Sequence, residues 1–176
     1  AVKSAVDFAV SYWTDPTLFY LLGRGLSMVA GVATVALTYR MARRHYGEAA
    51  GWMAGWLMLA LPVHVAMSQH AESDALAALL TILSLASLAA GPLTKARAFR
   101  GGLLGGLAAS TKYNAGISLA ALVVLHLLDR RREWRSWRAH GPLVVGLLSF
   151  LMGFAMGTPA ACVYPQEFFR SLAALE

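Results

Sequence analysis

Ser68-Gln69-His70-Ala71-Glu72-Ser73-Asp74 is a short polar stretch set between two long apolar runs, Gly51 to Met67 behind it and Ala75 to Ala90 ahead of it. It holds two carboxylates and one histidine, has His64 close by, and carries no basic residue. Apolar runs of this length on either side of a polar turn read as a helical hairpin crossing a membrane. Composition agrees. The 176-residue chain is 58% hydrophobic and 14% charged, against roughly 25% charged residues in a soluble domain, and its mean hydropathy is +0.57. That leaves too little polar surface for a soluble protein. The net charge of +6 does not point to nucleic acid, because the cations fall in short clusters between apolar runs and not along one face. The single cysteine, Cys162, offers no disulfide within the chain and no metal pair, and reads as a small buried residue. No signal peptide is visible. The pattern opens in mid-course at Ala1 and stops at Glu176 without a closing signal, as expected of a piece of a longer protein.

Working outward, residues 1–16 read as the end of an external loop carrying an interfacial helix, with Tyr12 and Trp13 in the headgroup belt. Asp15-Pro16 is a helix start, Asp as cap and Pro in the first turn. The expected fold class is all-α, a polytopic integral membrane protein. Four full spans are expected at 17–39, 48–67, 74–91 and 141–157, and a hairpin of two short helices at 101–128, all within a transmembrane domain of residues 17–160. Arg24 lies inside the first span. A cation there marks a functional position or snorkels to the interface, and both readings stand. Pro62 is acceptable within the second span. Gly51 with Gly55, and Gly153 with Gly157, are close-packing faces. Ser73-Asp74 can cap the third span.

The bases set the topology. Arg40, Arg43 and Arg44 mark loop 40–47 as cytoplasmic by the positive-inside rule. Lys95, Arg97 and Arg100 mark loop 92–100 likewise, and the cluster from Arg130 to Arg138 marks loop 129–140. One crossing between 101 and 128 would put that last cluster outside, so the segment must cross twice, turning at Lys112 to Asn114. Irregular backbone at that depth survives where it lines a polar cavity or is buried in protein. Eleven of the fifteen Lys and Arg then lie inside, the exceptions being Lys3, Arg24, Lys112 and Arg170. Residues 158–176 read as an external loop with an interfacial helix from Tyr164 to Arg170.

The outer face therefore collects His70, Glu72 and Asp74, with Arg24 and Lys112 from neighbouring helices. Cations beside carboxylates at a membrane surface suit a phosphate-bearing lipid. The cations bind the phosphate, and a carboxylate can take a proton or hold a divalent metal. His70 and Asp74 are four apart, which would share one helical face and offer two ligands to a divalent cation, the one candidate cofactor. The plainer readings are a helix cap for Asp74, a solvated Glu72 and an interfacial His70. Lys112, flanked by Ser110, Thr111, Tyr113 and Asn114, needs a partner, either Glu72, Asp74 or a lipid phosphate. His45 and His126 read as interfacial groups near the cytoplasmic side. The arginine loops read as topology determinants and contacts to anionic lipid.

Several segments together resemble the polyprenyl-phosphate-sugar-dependent glycosyltransferases of the GT-C class, notably the protein O-mannosyltransferase and lipid A aminoarabinose transferase family. They are Asp15-Pro16-Thr17 with Arg24 and Gly31, then Pro62 and the Ser68 to Asp74 stretch. Gly106-Leu107-Ala108 with Thr111-Lys112-Tyr113 follows, and last come Thr158-Pro159, Tyr164-Pro165 and Phe168-Phe169. The resemblance implies an extracytoplasmic catalytic site, a polyprenyl-phosphate-linked sugar as donor, and inversion of the anomeric centre. It implies that Asp74 is the acidic residue opening the span after the second external loop, the candidate catalytic group. Lys112 would be the donor-phosphate lysine of the short-helix hairpin and Arg24 the family's common arginine. Glu72, His70 and Tyr113 are further substrate-binding candidates. The family's leading carboxylate lies in a first external loop after an initial helix, so the chain reads as a fragment lacking both and inactive alone. A bacterial plasma membrane is the expected location, with membrane lipid and membrane proteins as partners. The alternative is a non-catalytic subunit whose Gly51, Gly55, Gly102 and Gly106 pack on partner helices. A transporter lacks its pair of matching broken helices.

Overall fold

Prolines and glycines divide this chain into helices. The computed structural model describes residues 4–129, 140–166, 168 and 170, and among them every regular element is helical. The expected basic cluster of Arg130, Arg131, Arg132, Glu133, Arg135 and Arg138 lies outside the described residues, as do Lys3, Glu167, Phe169 and the side chain of Cys162. The chain divides into two compact units, Ala1–Leu76 and Ala77–Glu176.

In the first unit, α1 (Ala5–Thr14) is capped by Ser4, whose side chain accepts the Asp7 N–H at 3.1 Å. Its Phe8 and Tyr12 rings meet Phe19 edge-on at 5.1 and 5.6 Å. Next comes α2, 30 residues from Thr17 to Tyr46. Asp15 stands just before it and accepts the Thr17 N–H at 3.1 Å. The Thr17 side chain first, and its N–H second, hold the Asp15 carboxyl below its usual value of 3.8. The loop expected at 40–47 is helix as far as Tyr46. Nothing between Tyr39 and Gly47 breaks a helix, since Arg, Met and Ala are strong helix formers, and cations are favoured at the negative end of the helix dipole. Gly47, at φ +93°, ends α2 in a conformation that costs glycine little.

The expected second span is not one rod. α3 (Glu48–Ala60) and α4 (Pro62–Gln69) meet at a bend of 59°. Pro62 has no N–H to donate, and its ring would strike the carbonyl four residues back. It also keeps Leu61 extended, at φ −70° and ψ 112°. α3 lies close on α2. A Cβ at Gly51 would stand 2.7 Å from that of Arg43, and the Tyr39 and Trp52 rings lie 5.0 Å apart.

α5 (Asp74–Leu88) runs into the second unit, which continues with α6 (Lys95–Thr111), a 3₁₀ turn (Tyr113–Gly116), α7 (Ile117–Asp129), α8 (Gly141–Gly157) and α9 (Pro159–Val163). α6 starts well before residue 101. The Thr94 side chain accepts the Arg97 N–H at 3.3 Å and caps it, so Lys95, Arg97 and Arg100 are helical and not in a loop. α6 then lies on α8 through glycine. Gly102 faces the Gly146 carbonyl and Ser149, Gly106 faces Phe150 O and Phe154 N, and Gly153 faces Leu103 O and Leu107 N. The two backbones touch, which only small residues permit. Gly51, Gly102 and Gly106, offered to partner helices on the subunit reading, are thus engaged within the chain. Leu88, Leu93, Ala98 and Leu122 form the core, and Asp129 Oδ2 ties in the Leu93 N–H at 2.9 Å. His126, read as an interfacial group, is buried inside this unit. It is 2% exposed, one turn from buried Leu122, and its Nε2 lies 3.1 Å from Nδ1 of His140.

α2 is long and apolar enough to cross a membrane, and α3 with α4 qualifies as a bent pair. α5 and α8 have 15 and 17 residues, roughly 22 to 26 Å at 1.5 Å per residue.

Candidate functional site

The polar stretch falls where α4 ends and α5 begins. His70, at φ −95° and ψ 151°, leaves the helix, residues 70–73 have no regular structure, and Asp74 opens α5. Four contacts seat this segment on α2. Arg24 Nε donates to the Gln69 carbonyl at 2.8 Å. Ser27 Oγ donates to the Glu72 carbonyl at 3.2 Å. Gly23 lies against Ala71, where an added Cβ would be 2.8 Å from the alanine methyl, and Gly31 lies against the Ser68 hydroxyl. Gly23, Ser27 and Gly31 are spaced by four, one strip of a helix face on which another backbone can rest.

Two candidate residues also complete α4. A helix leaves its last carbonyls without internal partners. His70 Nδ1 donates to Ala66 O at 2.7 Å; a carbonyl only accepts, so in the neutral ring that nitrogen carries the proton and Nε2 is left as an acceptor. Arg24 supplies the Gln69 carbonyl and sets a cation at the negative end of α4. Arg24 is exposed, and its two terminal nitrogens make no hydrogen bond among the described residues. Two donors of a planar fork are left to meet an anion. The Glu72 side chain is exposed, and Asp74 is half-buried in the first turn of α5.

The register expected for His70 and Asp74 does not exist. His70 lies in the break at 70–73 and Asp74 opens α5, so their spacing gives no shared face. Among the described residues no group of three or more His, Cys, Asp and Glu side chains could hold a metal.

Lys112 and Tyr113 belong to the second unit. Lys112 is extended, at φ −151° and ψ 123°, between α6 and the 3₁₀ turn. Its N–H donates to Ala108 O and its carbonyl accepts from Ala115, both at 2.9 Å. The Ser110 and Thr111 hydroxyls turn back to Leu107 O, at 2.7 and 2.9 Å. Tyr113 is half-exposed, 6.3 Å edge-on to Phe168, which meets Phe154 in the same way. Of the six candidates, Arg24, His70, Glu72 and Asp74 therefore share one unit.

Ser27 and Gly23 escaped the sequence reading, although the four-residue spacing of small residues in the first span was their signal. A groove of about 660 Å³ between α2, α3 and α4 also went unread. It is lined by apolar side chains with His64, Ser68 and Gln69 at one end.

A family model for the dolichyl-phosphate-mannose-protein mannosyltransferases matches residues 21–156. No curated protein and no solved structure matches the chain. The matched stretch takes in Arg24, the whole polar segment, Lys112 and Tyr113, and the glycine-packed α6 and α8. The family is membrane-embedded and transfers a sugar from a lipid-linked donor. With about three quarters of its 176 residues matched, the chain belongs to the dolichyl-phosphate-mannose-protein mannosyltransferase family, a glycosyltransferase family of GT-C type.

Proposed function

We propose that the chain is part of an enzyme that moves a sugar from a polyprenyl-phosphate donor to an acceptor hydroxyl on the extracytoplasmic face of a bacterial plasma membrane. The observation that carries this reading is the seating of residues 68–74 on α2, which gathers a cation with free donors, an imidazole and two carboxylates in one unit. Arg24 meets the donor phosphate through its two terminal nitrogens. Asp74 takes the proton from the acceptor hydroxyl, flanked by Glu72 and by Nε2 of His70. The hydroxyl oxygen bonds to the anomeric carbon as the carbon–oxygen bond to phosphate breaks. Polyprenyl phosphate leaves with that electron pair, and the centre inverts.

The same reading makes α2, the bent pair α3 and α4, α5 and α8 the four crossings, with α6 and α7 as the hairpin turning at Lys112. The ends bearing Arg40 to Arg44 and Lys95 to Arg100 are cytoplasmic. Three of the four glycines of the subunit alternative, Gly51, Gly102 and Gly106, are met closely from within the chain.

The test is Asp74→Asn in the full-length protein, reconstituted in liposomes with a polyprenyl-phosphate sugar. Transfer should fall by about 100-fold or more with the thermal unfolding midpoint unchanged. Ordinary turnover would overturn the assignment. For topology, a cysteine at Lys95 in a Cys162→Ser background should resist an impermeant thiol reagent in intact cells, and labelling there would reverse the orientation.

A further inference from the structure

The histidine pair of the second unit has no part in the chemistry above. His126 Nε2 and His140 Nδ1 lie 3.1 Å apart, with ring centroids separated by 5.3 Å and planes tilted by 50°. His126 is 2% exposed and His140 is half-buried. The first stands in the last turn of α7, and the second is the residue from which α8 starts. Their bond fastens the end of one helix to the beginning of the next. The other described ties of α7 in this unit run through side chains. Leu122 fills the notch at Gly146, Ser118 fills the notch at Gly105, and Asp129 Oδ2 accepts the Leu93 N–H. α6 and α8, by contrast, meet main chain to main chain, so α7 is the helix with freedom to move.

An imidazole nitrogen donates or accepts according to whether it carries a proton. Two neutral rings facing nitrogen to nitrogen make one bond, with the shared proton on either side. One added proton leaves that bond in place and makes it charge-assisted. A second sets N–H against N–H and brings two like charges together where water hardly reaches, and there the cost is high. The surroundings do not relieve it. Among the described residues α8 has no titratable side chain, and that of α5, Asp74, stands at the far end of its helix. Tyr113 lies at the opposite end of α7. α6 brings three cations. The Lys95 amine is 3.8 Å from where a Cβ on Gly141 would stand, Arg97 is turned to the Pro92 carbonyl, and Arg100 is exposed. Asp129 is the one carboxylate on α7, and the Leu93 N–H occupies one of its oxygens.

We propose that His126 and His140 form an acid-released clasp. It stays closed while the pair carries at most one extra proton, and it opens once both rings are charged, when the end of α7 parts from α8. In acid the closed pair holds fewer protons than two separated imidazoles. Its contribution is therefore present at neutral pH and is lost as pH falls. The clasp does not depend on the transfer reaction. On the topology proposed above it lies at the cytoplasmic end of the hairpin, on the helix whose other end follows the turn at Lys112.

The experiment is amide hydrogen exchange on the full-length protein in detergent at pH 7 and pH 4.5, each rate corrected for its intrinsic dependence on pH. In wild type, protection over residues 125–129 should fall by about tenfold in acid, while protection over 101–106 in α6 holds. No fall at 125–129, or an equal fall in α6, overturns the clasp. His140→Asn and His126→Gln place an amide atom where Nδ1 and Nε2 stood. An amide can turn its oxygen or its nitrogen to the remaining ring and never gains a charge. Both variants should be protected at pH 7 and keep that protection at pH 4.5. A fall as large as that of wild type in either one overturns the proposal, because acid would then act elsewhere. Ends already unprotected at pH 7 in both variants overturn it as well, because the rings would then matter for packing and not for charge.

Discussion

In the second unit α6 and α8 meet backbone to backbone at Gly102, Gly106 and Gly153, with main-chain atoms filling the place of every missing side chain. In the first unit the glycines do something else. Gly23 and Gly31, with Ser27 between them, make a seat for an irregular segment, and Gly31 and Gly55 border a groove of about 660 Å³. The same residue type closes the second unit and, in the first, seats a segment and leaves space at Gly55. Closure leaves no freedom, because the neighbour is backbone and cannot turn aside. Seating leaves side-chain atoms to spare, because Arg24 and His70 each spend one nitrogen on a main-chain carbonyl and both, like Glu72, stay exposed.

This contrast predicts a graded response to substitution. Gly106→Val should have the largest effect. Its new methyls would meet Phe150 O and Phe154 N, and the cost should reach the upper end of about 1–3 kcal/mol, read as a lower unfolding midpoint in detergent. Gly25→Val, with nothing within 4 Å, is its control, and an equal loss there would break the comparison. Ser27→Ala removes a donor that is 3% exposed and should cost up to about 1.5 kcal/mol. It should also raise the thiol reactivity of a cysteine at Glu72; a fully protected thiol would show that the seat does not depend on this bond. Thr94→Ala should cost about 1 kcal/mol through the lost cap on α6, and should leave that thiol unchanged. Asp15 should matter least, since it is fully exposed. Its folded value is lowered, so its contribution is present above the usual 3.8 and disappears as pH falls through the lowered value. Melting points of wild type and Asp15→Asn should differ slightly at neutral pH and converge in acid.

The helical class and the polar segment were legible because both follow from local pattern, long apolar runs and a cluster of polar residues between them. The arginines of α2 misled the reading. Charge clusters look like loops, but Arg40 to Arg44 contain no helix breaker, and the helix stops only at Gly47. Pro62 was seen and its bend was not, since proline fixes the missing bond but the angle depends on what α2 presents to both halves. Arg24 was singled out as a cation inside a span. Its acceptor at Gln69 and the Ser27 bond to Glu72 each join residues 45 apart, and no local pattern encodes such a pair. His126 meets His140, fourteen residues away, and no local pattern encodes that pair either.

The length of α2 has a bearing on all of this. Its 30 residues make a rod of about 45 Å, against a hydrocarbon layer of about 30 Å. On the topology proposed above, with Arg40 to Arg44 among the headgroups on one side, the opposite boundary falls about twenty residues back, near Tyr20. Arg24 then lies one turn beneath that surface, and the seat for residues 68–74 lies with it. α2 acts as a ruler set against the bilayer. A thicker membrane draws the guanidinium and the polar segment towards oil, and a thinner one lifts them into water. Bilayer thickness, which no residue of the site touches, thereby becomes one of the variables that set how well the site meets a charged headgroup.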